Sequence, residues 1–177
     1  MDYEELIETA WGLANSDQPF IWVVRPGSIL GKDDIDLPDG FIKATSGHGK
    51  IVSWAPQQEV LAHAAVGAFW THNGWNSTLE AICEGVPMIC RPQFADQMGN
   101  ARYVTHVWKV GIRLEGKLER GKIEKAIRRL MREDEGVEIR QRMRAMKHEA
   151  SLSIKSDGSS SINIDKLVNF ILSFKIL

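Results

Sequence analysis

The chain has 177 residues, with 22 Lys and Arg against 23 Asp and Glu, a formal net charge of −1 and 44% hydrophobic residues. That length suits one domain with at most a small appendage, and the composition excludes wholesale disorder. The balanced charge argues against a general attraction to nucleic acid or anionic lipid, and no apolar run approaches the roughly 20 residues of a spanning helix.

Met1 to Glu5 is acidic, opposite to the basic start of a secretory leader. Leu6, Ile7, Ala10, Leu13 and Ala14 recur at helical spacing, and Asn15-Ser16-Asp17 with Pro19 ends that helix. Phe20 to Val24 is a continuous apolar run and reads as a buried strand, stopped by Arg25-Pro26-Gly27. From Pro26 to Gly49 the Gly, Pro, Asp and Ser content predicts a long surface loop. Further strands are predicted at 51–54, 66–71, 88–90 and 110–114, with helices at 76–84 and from Asp96 to about Trp108. Apolar stripes at Ile123, Ala126, Ile127, Leu130 and Met131, and at Ile139, Met143, Met146 and Ala150, mark two more helices. Gly158-Ser159-Ser160 offers the cap of a last helix striped by Ile164, Leu167, Val168, Ile171 and Leu172. Strands alternating with helices predict an α/β fold, a doubly wound parallel sheet with a helical tail.

Cys83 and Cys90 lack the spacing of a zinc site or disulfide framework and read as buried thiols. Together these features predict a reduced, cytoplasmic protein. Glu115 to Glu149 carries eleven Lys and Arg against eight Asp and Glu, but the signs are interspersed, so a solvated helix face outweighs nucleic-acid binding. Asn76-Ser77-Thr78 spells a glycosylation sequon, expected to stay unmodified without a secretion signal. Asp34-Ile35-Asp36 spells an Asp-x-Asp pattern, but its loop setting makes a metal role the lesser reading, and no metal is expected.

Doubly wound sheets bind ligands beyond the carboxyl ends of their strands. The third strand candidate runs into Thr71-His72-Asn73-Gly74-Trp75-Asn76-Ser77. Gly74 allows close backbone approach there, and Asn76 and Ser77 place donors beside free helix N–H groups, a setting suited to phosphate. Glu80, one turn further on, would repel phosphate but could accept two hydroxyl hydrogen bonds from a ribose diol. Trp54 could offer a flat face to a base. Taken singly, each feature has a plainer reading: Trp54 as core, His72 as structural, Asn76-Ser77 as a helix cap.

Their joint spacing resembles the plant secondary product glycosyltransferase box of UDP-dependent glycosyltransferases. The 44 residues from Trp54 to Gln97 match that box in length and register, including Trp-Ala-Pro-Gln at 54–57, Glu80, Gly85-Val86-Pro87, Pro92 and Asp96-Gln97. Phe20 to Pro26, Leu37 to Phe41 and Asn100 to Tyr103 resemble the same family. The resemblance implies the C-terminal, Rossmann-like half of a two-domain GT-B enzyme, with a donor-binding domain at 1–157 and a C-terminal helix at 158–177. It implies that Trp54 stacks on uracil, that the Ala55 backbone and Gln57 place the nucleoside, and that Glu80 holds the ribose. His72, Asn76 and Ser77 would bind the diphosphate, and Trp75, Asp96 and Gln97 the sugar, Gln97 favouring glucose.

The implied reaction transfers a hexose from a UDP-sugar to a hydroxyl of a small plant metabolite, with no cofactor and no membrane insertion. The family's acceptor-activating His and its partner Asp lie in an N-terminal domain, and His48, His63, His106 and His148 do not match that motif. The chain alone is therefore expected to be inactive, and a non-catalytic UDP-sugar-binding module is the alternative. The family domain also opens with a strand for which this sequence has no counterpart. The sheet should then lose its middle, the stripe of Leu6, Ile7 and Ala10 should lose partner surface, and the chain should be marginally stable or close its sheet abnormally.

Overall fold

A computed structural model describes residues 1–30 and 36–174. In chain order the elements are α1 (Tyr3–Ser16), β1 (Phe20–Val23), α2 (Phe41–Ala44), β2 (Gly49–Val52), α3 (Gln57–Ala62), β3 (Phe69–Thr71) and α4 (Trp75–Glu84). Then follow β4 (Met88–Cys90), α5 (Gln97–Arg102), a π-helical turn (Tyr103–Val107), β5 (Gly111–Arg113), α6 (Arg120–Arg132), α7 (Asp134–Ser153) and α8 (Ser159–Ser173). All strand pairs are parallel, as the alternation of strands and helices predicts.

The strands form two ladders, β1 with β2 and β3-β4-β5, with no pairing between β1 and β3 among the described residues. Phe20 and Val24 donate to His48 and Val52 of the β2 side, both at 2.9 Å, so the alternate residues Ile21 and Val23 turn their backbone groups to the open edge. On β3, Phe69 donates to Pro87 and Thr71 accepts from Arg91, which leaves Trp70 facing its own open edge. The break falls where the doubly wound order places its central strand. It also corrects the reading of Phe20–Val24 as fully buried, because Ile21 is 54% exposed and Val23 is exposed beside it.

What joins the ladders is side-chain packing. Ile89 of β4, Ile112 and Leu114 meet Leu13 of α1, Ile123, Ile127 and Leu130 of α6 and Ile139 of α7, with Trp22 and Trp70 packed against that cluster. Met88 and Cys90, alternating with Ile89, point to the other face and meet Ala81, Ile82, Val104 and Met143. The three-residue β4 is thus buried on both sides, as its continuous apolar run requires. Leu6 and Ala10 are fully buried, contrary to the expectation that α1 would lack partner surface: α6 packs along α1, and Val24 and Ile29 meet Leu6.

Glu8 of α1 fastens this helix pair. Its carboxylate accepts from the Arg120 backbone N–H at 2.7 Å and from the Arg120 Nε at 2.9 Å, so it serves as the missing cap of α6, whose own Glu119 makes no side-chain cap bond. The Arg120 side-chain and backbone hydrogen bonds hold the Glu8 carboxyl below its ordinary range.

Three other expectations are corrected. The segment after Pro26 is not all surface loop: Phe41 is fully buried against the rings of Trp11, Phe20 and Trp22. Cys83 is exposed, because α4 buries Thr78, Ala81 and Ile82 and turns position 83 outward, whereas Cys90 is buried on β4. The stripe of α8 has no buried member: Ile164, Leu167, Val168, Ile171 and Leu172 all reach solvent. The Asp34 and Ile35 of the Asp-x-Asp pattern lie outside the described residues, and Asp36 accepts a hydrogen bond from Tyr3 Oη at 3.4 Å. Among the described residues no helix is long and apolar enough to cross a membrane, and no group of three metal-ligating side chains forms.

Candidate functional site

The residues of interest follow the carboxyl ends of β2, β3 and β4, where a parallel sheet presents its loops and helix N-termini. Two residues beyond β2, the Trp54 ring is 66% exposed, which removes the core reading of that residue. Ala55 and Pro56 lead into α3, whose first residue is Gln57.

After β3 the chain turns through His72, Asn73 and Gly74 into α4. Asn73 is fully buried with φ at 62°, a left-handed conformation that asparagine tolerates better than most residues, and its N–H donates to Thr71 Oγ1 at 3.1 Å. Gly74 is the N-cap of α4 but supplies no side chain, and the first turn holds no acidic residue. The earliest intrahelical bond is Thr78 N–H to Gly74 O at 2.9 Å, so the amides of Trp75, Asn76 and Ser77 are without partners among the described residues. That is the electropositive end of a ten-residue helix. The His72 imidazole lies against Gly74, and its Nε2 is 2.7 Å from where a Cβ on that glycine would stand.

One turn into α4, Glu80 is gripped by α3. Gln57 Nε2 donates to Glu80 Oε2 at 2.7 Å and to Ser77 Oγ at 3.0 Å, and Gln58 Nε2 donates to Glu80 Oε1 at 3.2 Å. Gln57, Ser77 and Glu80 therefore form one cluster, with Gln58 a member that sequence reasoning passed over. Trp75 and Asn76 are exposed beside it and take no side-chain hydrogen bond among the described residues.

After β4, Asp96 precedes α5 and is exposed, and its Oδ2 accepts from Asn100 Nδ2 at 2.8 Å. Gln97 is buried and turned inward: its Oε1 accepts from Gln93 N–H at 2.9 Å and from Phe94 N–H at 3.2 Å. Only its amide nitrogen is left for an outward contact. The same Asn100 Nδ2 donates to Asn73 O at 2.9 Å and so ties this group to the β3–α4 turn. Surface depressions at the α7–α8 turn (Glu149, Leu152, Asp157) and beside α2 (Leu37, Gly40, Ser46) include none of these residues. The site is an open rim with two hydrogen-bonded clusters, Gln57, Ser77 and Glu80 in one and Asn73, Asp96 and Asn100 in the other, while Trp54, His72, Trp75 and Asn76 belong to neither.

Residues 1–152 match the family model described as UDP-glucoronosyl and UDP-glucosyl transferase. UDP-glycosyltransferase 76B1 of Arabidopsis thaliana is 58% identical over 98% of this chain, which spans 39% of that relative. The flavonol 3-O-glucosyltransferase UGT76E12 of the same plant is 53% identical over 97% of the chain and 38% of its own length. Among solved structures, a UDP-glucosyltransferase from Polygonum tinctorium capable of glucosylating indoxyl superposes with a TM-score of 0.91 at 39% identity, covering 98% of this chain and 39% of that one. TcCGT1 in complex with UDP gives 0.88 at 34% identity over 96% of this chain and 40% of that one. The chain spans about two fifths of the length of these relatives and corresponds to their C-terminal portion. It belongs to the plant UDP-glycosyltransferase family.

Proposed function

We propose that this chain is the donor-binding half of an inverting glycosyltransferase that moves a hexose, glucose by preference, from a UDP-sugar to a hydroxyl of a small plant metabolite. The observation that carries the reading is the Glu80 carboxylate fixed beside Gln57 and Ser77, one turn inside a helix with open N-terminal amides. A diphosphate fits those amides with His72, Asn76 and Ser77, and a ribose diol fits the carboxylate. The exposed indole of Trp54, with Ala55 and Gln57 next to it, supplies a face for uracil. Trp75, Asp96 and Gln97 are assigned to the sugar. That relatives of this fold are solved with UDP bound supports the assignment of the nucleotide.

In the reaction an acceptor oxygen bonds to the anomeric carbon as the bond from that carbon to the β-phosphate oxygen breaks. The charge that grows on the departing diphosphate is met by the α4 amides and the side chains around them, without a metal ion. The acceptor proton passes to a base outside this chain, so the 177 residues alone bind the donor and transfer nothing. Calorimetric titration with UDP, UDP-glucose and UDP-galactose tests the binding, and release of labelled glucose to a panel of phenols tests the chemistry. Binding without transfer is expected. Transfer by the purified chain would overturn the assignment of the base, and failure to bind UDP would overturn the reading itself.

A further inference from the structure

The β3–α4 turn and the loop before α5 belong to different βα units, and one side chain bridges them. Asn100, on α5, directs its amide nitrogen to Asn73 O at 2.9 Å and to Asp96 Oδ2 at 2.8 Å. An amide NH₂ carries two hydrogens, so both bonds form at once. The two acceptors are distinctive. Asn73 is the left-handed pivot of the turn that opens α4, and that conformation swings its carbonyl out of both the strand ladder and the helix ladder. Asp96 is exposed, and among the described residues only its Oδ2 takes a side-chain hydrogen bond.

We propose that Asn100 is a positioning residue. It locks Asp96 into one rotamer and sets its spacing from the diphosphate-binding turn, so that its loss costs a nucleotide carrying a hexose more than it costs the bare nucleotide. This rests on the proposed assignment of Asp96 to the sugar. The chemistry at position 100 is restrictive: alanine donates nothing, serine has one hydrogen, and aspartate has the right shape but would set a second carboxylate against Asp96 and against a carbonyl.

The test is calorimetric titration of the full 177-residue chain with UDP and with UDP-glucose, for the parent and for Asn100→Ala, Asp96→Ala and the double variant. The expected result is that Asn100→Ala weakens UDP-glucose about tenfold and UDP no more than about threefold, and that it costs UDP-glucose less than about twofold once Asp96 is already alanine. Should Asn100→Ala fail to fold, as judged by circular dichroism, the isosteric Asn100→Asp gives the same ratio of affinities to read. Equal losses for the two ligands, or full additivity in the double variant, would overturn the proposal and leave donor binding standing. A parent chain that binds neither ligand would overturn both together.

Discussion

Gln57 Nε2 donates to Glu80 Oε2 at 2.7 Å and so ties the start of α3 to the second turn of α4. With Gln58 on the other oxygen, each oxygen of the carboxylate proposed for the ribose accepts one amide hydrogen bond and keeps a lone pair for a hydroxyl of the diol. Glu80→Ala should therefore weaken UDP by about 10- to 100-fold, the scale of hydrogen bonds to a charged group. It should leave 2′,3′-dideoxy-UDP unaffected, because that analogue has no diol to offer. Equal losses for the two nucleotides in a fluorescence titration would place the carboxylate elsewhere.

Gly74 has an ordinary negative φ of −55°, so an alanine there meets no backbone strain. It meets the tip of the His72 ring, which can swing into solvent. Gly74→Ala should melt within a degree or two of the parent and yet bind UDP several-fold more weakly, as a displaced imidazole no longer faces the proposed position of the diphosphate. Circular dichroism melts beside calorimetry separate the two effects.

Gly12 offers the opposite case. A Cβ there would lie 2.6 Å from Ile123 Cβ and 2.7 Å from its Cγ2, both on a fully buried β-branched side chain that has nowhere to go. Gly12→Ala should force α1 and α6 apart at a cost of about 1–3 kcal/mol, read as a lower urea midpoint with the slope unchanged.

The Glu8 to Arg120 contact gives a dependence on pH. Because the folded carboxyl titrates below its ordinary value of 4.5, its contribution is fully present above that pH and is lost as pH falls through the lower folded value. The stability gap between the parent and Glu8→Gln should be constant from pH 7 to 5 and narrow as pH falls below 4.5. It should also shrink with added salt, since the Arg120 side chain is 46% exposed. Thermal melts across that range check both.

The two cysteines should differ in reactivity. Burial pushes the Cys90 thiol up to about 12, while Cys83 lies on the outer side of α4. At pH 8 a maleimide should modify one thiol per native chain and two in denaturant, and Cys83→Ser should abolish the native labelling, as counted by intact mass.

The strands and long helices were legible because burial on both faces of a parallel sheet writes itself as short apolar runs such as Met88-Ile89-Cys90, and α6 and α7 as clear stripes. The register of Trp54, His72, Ser77 and Glu80 beyond strand ends was legible for the same reason. What escaped is what depends on partners distant in sequence. Phe41 sits in a Gly- and Pro-rich stretch and is core only because three rings from α1 and β1 converge on it. The π-helical turn, closed by Trp108 N–H to Tyr103 O at 2.8 Å, has no periodicity to announce it. Asn100 could have been found, since it stands four residues after Asp96 on the same helix face, but its second bond, to Asn73, could not. The inward turn of Gln97 was equally invisible, because a Gln that braces its own loop reads like one that faces a sugar.

The gap between β1 and β3 would give the proposed nucleotide a mechanical role. The indole proposed for the base follows β2, and the amides proposed for the phosphates follow β3. A molecule bound as proposed would touch both and act as a crossbar over a seam that the backbone leaves unstitched, beside the thread that Gln57 runs to α4. Saturation with UDP should accordingly slow amide exchange along both lips of the seam, at Ile21 and at Trp70.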